Sequence, residues 1–290
     1  MNHSFLQIPL LDSLGSPLLA CVFLALSWLQ WKYPLRRQHL SALRRIIRNL
    51  IFAAPAFLTL RLALVPIPFA AAVWAQDHHF GLLHWLPLPP FVAGLLGIVL
   101  FDYVYYWWHI ATHRVPLLWR FHNVHHTDLD MDVSTATRFH FGELLLSVIW
   151  RTALVLVTGI APVALIIFEI VFECAGEFHH SNWRLPIDIE RVLNHIVVTP
   201  RMHGIHHSIV QHETNSNWGT VFSWWDKLHR TLRIDVAQDA LTIGVPAYRD
   251  ESELTVGQLF LMPFRPLHPW QLPDGERPER APQSAEELAA

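Results

Sequence analysis

Cysteine is almost missing from this chain: 290 residues hold two, Cys21 and Cys174. That excludes a disulfide framework, a cysteine-ligated zinc site and a four-cysteine iron–sulfur cluster. Charge is scarce as well, at 16% Asp, Glu, Lys and Arg, where soluble domains carry about 25%. Too little polar surface remains to wrap a water-soluble core of this size. Lysine occurs twice, at Lys32 and Lys227, against 19 arginines, a usage typical of GC-rich bacterial genomes. A net charge of −3 leaves no basic footprint for a nucleic-acid partner. There is no C-x-x-C-H haem attachment, no glycine-rich dinucleotide fingerprint and no H-P-G-G haem-domain signature.

Long apolar runs are abundant. Leu14 to Trp31 is long enough to cross ~30 Å of hydrocarbon, and no basic residue precedes it, so it does not read as a signal peptide. Between Lys32 and Arg48 lie Lys32, Arg36, Arg37, Arg44, Arg45 and Arg48, which mark a cytoplasmic loop by the positive-inside rule. Asn49 to Ala75 is a second run, with Pro55, Pro66 and Pro68 expected to kink it and Arg61 needing a partner. Phe91 to Trp108 is a third. Leu144 to Val157 turns at Gly159-Ile160-Ala161-Pro162 and returns as Val163 to Phe178, a hairpin whose arms are marginal for full spans. On the returning arm Glu169, Glu173 and Glu177 form an acidic stripe, either supporting metal ligands, forming a proton path or pairing with Arg61 or Arg151.

Histidine is the excess that needs a cause, at 20 residues. The expected topology places 14 of them on the cytoplasmic face, within 109–140, 179–180 and 195–229. His109 and His113 are one helical turn apart, so both imidazoles can reach one ion. His122, His125 and His126 form one H-x-x-H-H box, and His203, His206 and His207 form another. His180 adds a ninth donor. One zinc wants four ligands, or three plus an open position, so nine convergent histidines are too many for one ion and suit two. Imidazole accepts Zn, Fe, Cu and Ni alike. Asp102, Tyr106, His140, His179, Glu173, Glu177 and Asn217 are candidates for orienting those ligands.

The order of these motifs resembles the membrane fatty acid hydroxylase superfamily, and within it sterol desaturase-like proteins. Asp102 to His113 is similar to its D-x-x-x-Y-x-x-H-x-x-x-H helix, and Phe121 to His126 to its F-H-x-x-H-H box. His180-Ser-Asn-Trp-Arg-Leu-Pro186, Thr199 to Ser208, Asn217-Trp-Gly219 and Trp224-Trp-Asp226 resemble the later segments, so the likeness covers roughly 90–250. It implies two iron ions, with zinc as a substitute in purified material, and O2-dependent hydroxylation or desaturation of a membrane lipid (sterol, fatty acyl or related). A separate electron donor is then required, ferredoxin or cytochrome b-type with its reductase, and the Arg-rich loop is a candidate docking site. A metal-binding membrane protein or transporter without oxygenase activity is the alternative, although transporter ligands are expected near the bilayer midplane.

The expected architecture is an all-α integral membrane protein, multi-pass in a bacterial inner membrane. About four transmembrane helices, the hairpin included, carry a cytoplasmic, helical, histidine-rich di-metal cap. Residues 1–270 read as one domain and 271–290 as a disordered tail.

Overall fold

The computed structural model describes residues 8–281. Among these there is no named strand, only isolated bridges such as Pro34 with Trp183 and Val197 with Phe222. The membrane part runs α1 (Ser16–Lys32), α2 (Ala42–Thr59), α3 (Pro66–Asp77), a single turn α4 (Leu82–Trp85), and α5 (Pro90–Arg114). A short α6 (Pro116–His126) precedes the hairpin of α7 (Phe141–Thr158) and α8 (Pro162–His180). The remainder is short: α9 (Ile187–Leu193), α10 (Pro200–His206), α11 (Gln211–Thr214), α12 (Trp224–Leu228) and α13 (Val256–Leu261).

Proline opens α3, α5, α6, α8 and α10, where its missing N–H costs nothing and its fixed φ favours the helix. Gly159 ends α7 in the left-handed region at φ 66°, and Pro162 starts α8 three residues later. Gly81, at φ 104°, lies so close to that turn that a Cβ would stand 2.4 Å from the Gly159 nitrogen. The distal end of the hairpin is therefore sealed by backbone against backbone.

Four helical stretches are long and apolar enough to cross a membrane: Leu11–Lys32, Ala42–Trp85, Pro90–Arg114 and Phe141–Thr158. The second differs from expectation. Instead of starting at Asn49, the helix begins at Ala42, with Pro55 inside it, and continues through a π turn at Leu60–Leu64 into α3, which Pro66 opens. Arg61 meets Asp12 at 2.8 Å. A core of Phe101, Tyr105, Leu154, Val155, Leu165 and Phe168 holds α5, α7 and α8 together. Outward, Leu24, Phe91, Ile149 and Val157 are each at least two-thirds exposed, as lipid-facing positions should be. The protein is a multi-pass integral membrane protein.

The Arg-rich stretch is not the open loop that its charge suggested. Arg45 is fully buried in α2, with Nη2 2.7 Å from Asp132, Nε 3.2 Å from Asp128 and Nη1 3.7 Å from Asp130. Arg36 is buried too, and Arg48 lies 3.4 Å from Glu251. Much of this charge is thus used inside the molecule. At the other end, 271–281 belongs to the stretch expected as a tail, and Arg280 clamps Glu213 through Nε and Nη2, both at 2.8 Å. Residues 282–290 lie outside the described residues.

Arg45→Met should cost about 3–5 kcal/mol, because it strands buried carboxylates without a cation. Thermal unfolding in detergent reads this, with Arg44→Gln, whose side chain is 75% exposed, expected to be near neutral.

Candidate metal centre

The cap draws its donors from four helix ends. α5 brings His109 and His113 on one face of its last turns, and the single residue Val115 separates it from α6. α6 then folds back carrying His122, His125 and His126. α8 ends in His180, and α10 supplies His203 and His206 with His207 as its C-cap. The imidazoles form two groups whose donor nitrogens lie within 4.8 Å of one another. His109, His113, His122, His126 and His206 make the first, and His125, His180, His203 and His207 the second.

Helical geometry permits the division. Within each H-x-x-H-H box the i+3 and i+4 residues both lie near the face of the first histidine but on opposite sides of it, so the two adjacent rings diverge. His122 and His126 enter the first group while His125 crosses to the second; His203 and His207 enter the second while His206 crosses to the first. Each box therefore serves both groups.

Four rings are fixed by acceptors on their outer nitrogen. His109 Nδ1 donates to the Trp218 carbonyl at 2.9 Å, His206 Nδ1 to that of Ser216 at 2.8 Å, and His180 Nδ1 to that of Gly176 at 2.7 Å. His122 Nδ1 donates to Glu143 Oε1 at 2.9 Å. A proton held at Nδ1 leaves the Nε2 lone pair free for an ion. In the second group His180 Nε2 stands 3.0 Å from Nε2 of both His125 and His203, and His203 Nε2 lies 3.2 Å from Nε2 of His207. Nε2 of His113, His122, His126 and His206, all in the first group, is buried without a partner.

Each orphaned buried nitrogen costs on the order of 1–3 kcal/mol, and a cation at the convergence point of the first group would satisfy these four, while the second group's Nε2 atoms converge closely enough to share another. The donor set therefore fits two metal ions. Burial, and then the neighbouring imidazoles, hold His125, His126, His203, His206 and His207 well below the ordinary imidazole range. Neutral rings are the form that binds metal.

One loop sets the outer acceptors. Asn217 adopts φ 52°, a left-handed conformation that asparagine tolerates. Its amide donates to the carbonyls of Met202 at 2.8 Å and Arg233 at 2.7 Å. That locks the two flanking carbonyls, Ser216 and Trp218, which receive His206 and His109. Asp226 accepts the N–H groups of Trp218 and Gly219 at 2.8 Å each, and the Thr231 hydroxyl at 2.7 Å. Tyr106 reaches Thr231 at 3.0 Å. Asp102 receives Val221 N–H at 3.1 Å, Phe222 N–H at 3.0 Å and Trp225 Nε1 at 2.7 Å.

The other nominated residues stand apart. His179 lies beside His203, ring centroids 4.0 Å apart, but donates Nδ1 to the Thr220 carbonyl and joins neither group. His140 caps α7, accepting Gly142 N–H at 2.9 Å, and packs on Phe121 and Phe141. Of the acidic stripe, Glu169 pairs with Arg151. Glu173 and Glu177 are half-buried, and Glu177 Oε2 has no partner.

The fatty acid hydroxylase family model matches residues 94–231. The histidine-bearing core belongs to the fatty acid hydroxylase superfamily. Curated relatives include ornithine lipid hydroxylase OlsE of Rhizobium tropici, 31% identical over 187 residues, 61% of this chain and 54% of that protein. Rat cholesterol 25-hydroxylase is 27% identical over 186 residues, 59% of this chain and 61% of its own. Human alkylglycerol monooxygenase is 27% identical over 165 residues, 56% of this chain and 35% of its own. The match thus spans less than two-thirds of each of these relatives. No solved structure matches the chain significantly.

All nine clustered histidines of this fatty acid hydroxylase core fall inside the matched stretch, as do Asp102, Tyr106, Glu143 and Asn217. Glu143 is the residue that the sequence does not single out: it reaches His122 from 21 positions away, across a helix–helix contact. Glu143→Gln and Asn217→Ala are expected to weaken metal retention 10- to 100-fold, read as metal per chain after a chelator challenge. Asp188→Asn, at a 90% exposed side chain, should leave it unchanged.

Proposed function

We propose that the chain is an O2-dependent, di-iron lipid hydroxylase of a bacterial inner membrane, with its histidine cap facing the cytoplasm. The observation that carries this reading is the pair of imidazole groups built from shared boxes within a fatty acid hydroxylase core. The nine ligands would be His109, His113, His122, His126 and His206 on one ion and His125, His180, His203 and His207 on the other. A bound iron pair supplies the redox activation of O2 that an unactivated C–H bond requires.

The chain's own residues do the rest. The carbonyls of Trp218, Ser216 and Gly176 and the Glu143 carboxylate hold the Nδ1 protons, so that four rings keep one tautomer and one orientation. Burial keeps the imidazoles of His125, His126, His203, His206 and His207 unprotonated. A lipid would approach sideways from the bilayer, near the half-exposed Trp107 on α5. Tyr105, by contrast, is buried against Phe168 and Phe172 and takes no part in that surface.

Hydroxylation consumes O2, two electrons and two protons and yields the alcohol and water, so a separate donor of ferredoxin or cytochrome b type must deliver the electrons. The named relatives act as hydroxylases or monooxygenases on an ornithine lipid, cholesterol and alkylglycerol. That favours hydroxylation of a membrane lipid over desaturation. The Lys32 to Arg48 charge supports the cytoplasmic orientation by the positive-inside rule.

Purified protein should contain about two iron ions per chain by the ligand count that one metal needs. His206→Ala should deplete the first group and His125→Ala the second, each abolishing the appearance of a lipid one oxygen atom heavier by mass spectrometry. Zinc alone with no O2 uptake under any reductant, or normal activity in either variant, would overturn the reading.

A further inference from the structure

Away from the histidines, a cavity of about 40 Å³ opens between the loop after α1 and two loops of the cap. It is lined by Arg36, Arg37 and His39 on one side and by Asp130, Ile243 and Arg249 on the other. Three arginines are therefore among its lining residues, against one carboxylate-bearing residue. That carboxylate is already engaged, accepting His39 N–H at 3.0 Å and Leu40 N–H at 2.7 Å and facing Arg45 at 3.7 Å.

Arg36 is the residue that demands an explanation. It is 93% buried by its 7% exposure, yet it has no ion-pair partner, and its Nε and Nη2 meet no acceptor. Only Nη1 is used, donating to Gln238 Oε1 at 2.7 Å and the Pro200 carbonyl at 3.2 Å. Glu190, the nearest acidic influence, is taken by Arg201 at 2.9 Å. Burial pulls the Arg36 guanidinium down to about 10, the direction expected of a cation without a counter-charge. Leaving a buried charge unpaired costs several kcal/mol, so this position calls for an anion. About 10–15 Å³ of such volume holds one water, so the cavity has room for a small tetrahedral oxyanion.

We propose that this cavity binds a phosphate-class oxyanion, held by Arg36, Arg37 and Arg249. Guanidinium forks suit phosphate oxygens better than any other side chain. The anion comes either from solution, as inorganic phosphate, or from the headgroup of an anionic phospholipid, since the loop follows directly on the apolar α1.

The position gives the anion a structural consequence. Arg36 exchanges backbone–side-chain hydrogen bonds with Asn182, at 2.9 Å and 2.8 Å, two residues beyond His180. Its Nη1 braces Pro200, the first residue of α10, and packs where a Cβ on Gly204 would stand 2.3 Å away. That is a physical reason for glycine between His203 and Ile205. An anion that fixes Arg36 therefore stiffens both the His180 turn and α10.

The test uses the full chain purified with its metal. In phosphate-free detergent, millimolar inorganic phosphate should raise the unfolding midpoint by about 3 °C by mass action, with chloride at equal ionic strength giving no rise. Arg249→Gln should shift the phosphate concentration at half-effect about tenfold upward, as expected for losing one charge-assisted hydrogen bond, and Arg36→Gln should abolish the response. Where Arg36→Gln does not fold, Arg37→Gln and Arg249→Gln carry the comparison.

A second arm compares nanodiscs of phosphatidylcholine with nanodiscs containing phosphatidylglycerol. Stabilisation by free phosphate in phosphatidylcholine assigns the soluble anion. Stabilisation only by phosphatidylglycerol, lost in Arg249→Gln, assigns the lipid headgroup. No response to either, or a response unaltered in the arginine variants, overturns the proposal and leaves the assignment of the histidine groups untouched.

Discussion

The convergence of nine imidazoles on two points is the constraint around which this fold is organised. Without cations this is an unfavourable arrangement: neutral nitrogens face one another, and burial prevents relief by protonation. The helices that carry them must therefore be held by something other than the histidines themselves. Packing of α5, α7 and α8 does this within the membrane part. In the cap, hydrogen-bonded carboxylates and one left-handed asparagine do it alongside buried apolar residues such as Met202, Ile205 and Trp218.

The charged network around α2 is the counterpart on the other side of the cap. Arg45 gathers Asp128, Asp130 and Asp132, which directly follow the His122–His126 box. Arg138 donates through Nε to the Val124 carbonyl inside that box, through Nη2 to Thr127 and through Nη1 to Asn49. α2 and α6 are thereby joined through buried polar groups, each ion balanced by another. Such pairs contribute little net stability compared with apolar packing, but breaking one is costly. They enforce one relative placement of α2 and α6, which is what ligand geometry needs.

Sequence pattern and structure agree best where the signal is local. Apolar runs bounded by Pro90, Gly159 and Pro162 locate α5 and the hairpin to within a few residues, because proline and glycine fix helix ends through backbone geometry. The boxes are legible for the same reason, since i, i+3 and i+4 spacing determines which faces histidines share. The division into groups of five and four is not, because it depends on how α6 and α10 face each other across the cap. Charge misleads at Arg44, Arg45 and Arg48: six basic residues look like a solvated loop, yet arginine is a good helix former, and the acidic residues that bury Arg45 lie more than 80 positions away. Three of the four acceptors that orient the rings are backbone carbonyls, which no side-chain pattern can reveal.

The two groups are also unequal in ways that bear on chemistry. The second has four donors, all deeply buried, drawn from α6, α8 and α10. The first has five, and it contains both donors of the membrane helix α5, with His113 only partly buried and flanked by Trp119 and Trp218 at ring distances of 4.9 Å and 4.7 Å. Both groups take a donor from the membrane part, the first His109 and His113 from α5 and the second His180 from the end of α8. The boxes that cross between them, α6 and α10, make it impossible to displace one group without disturbing the other.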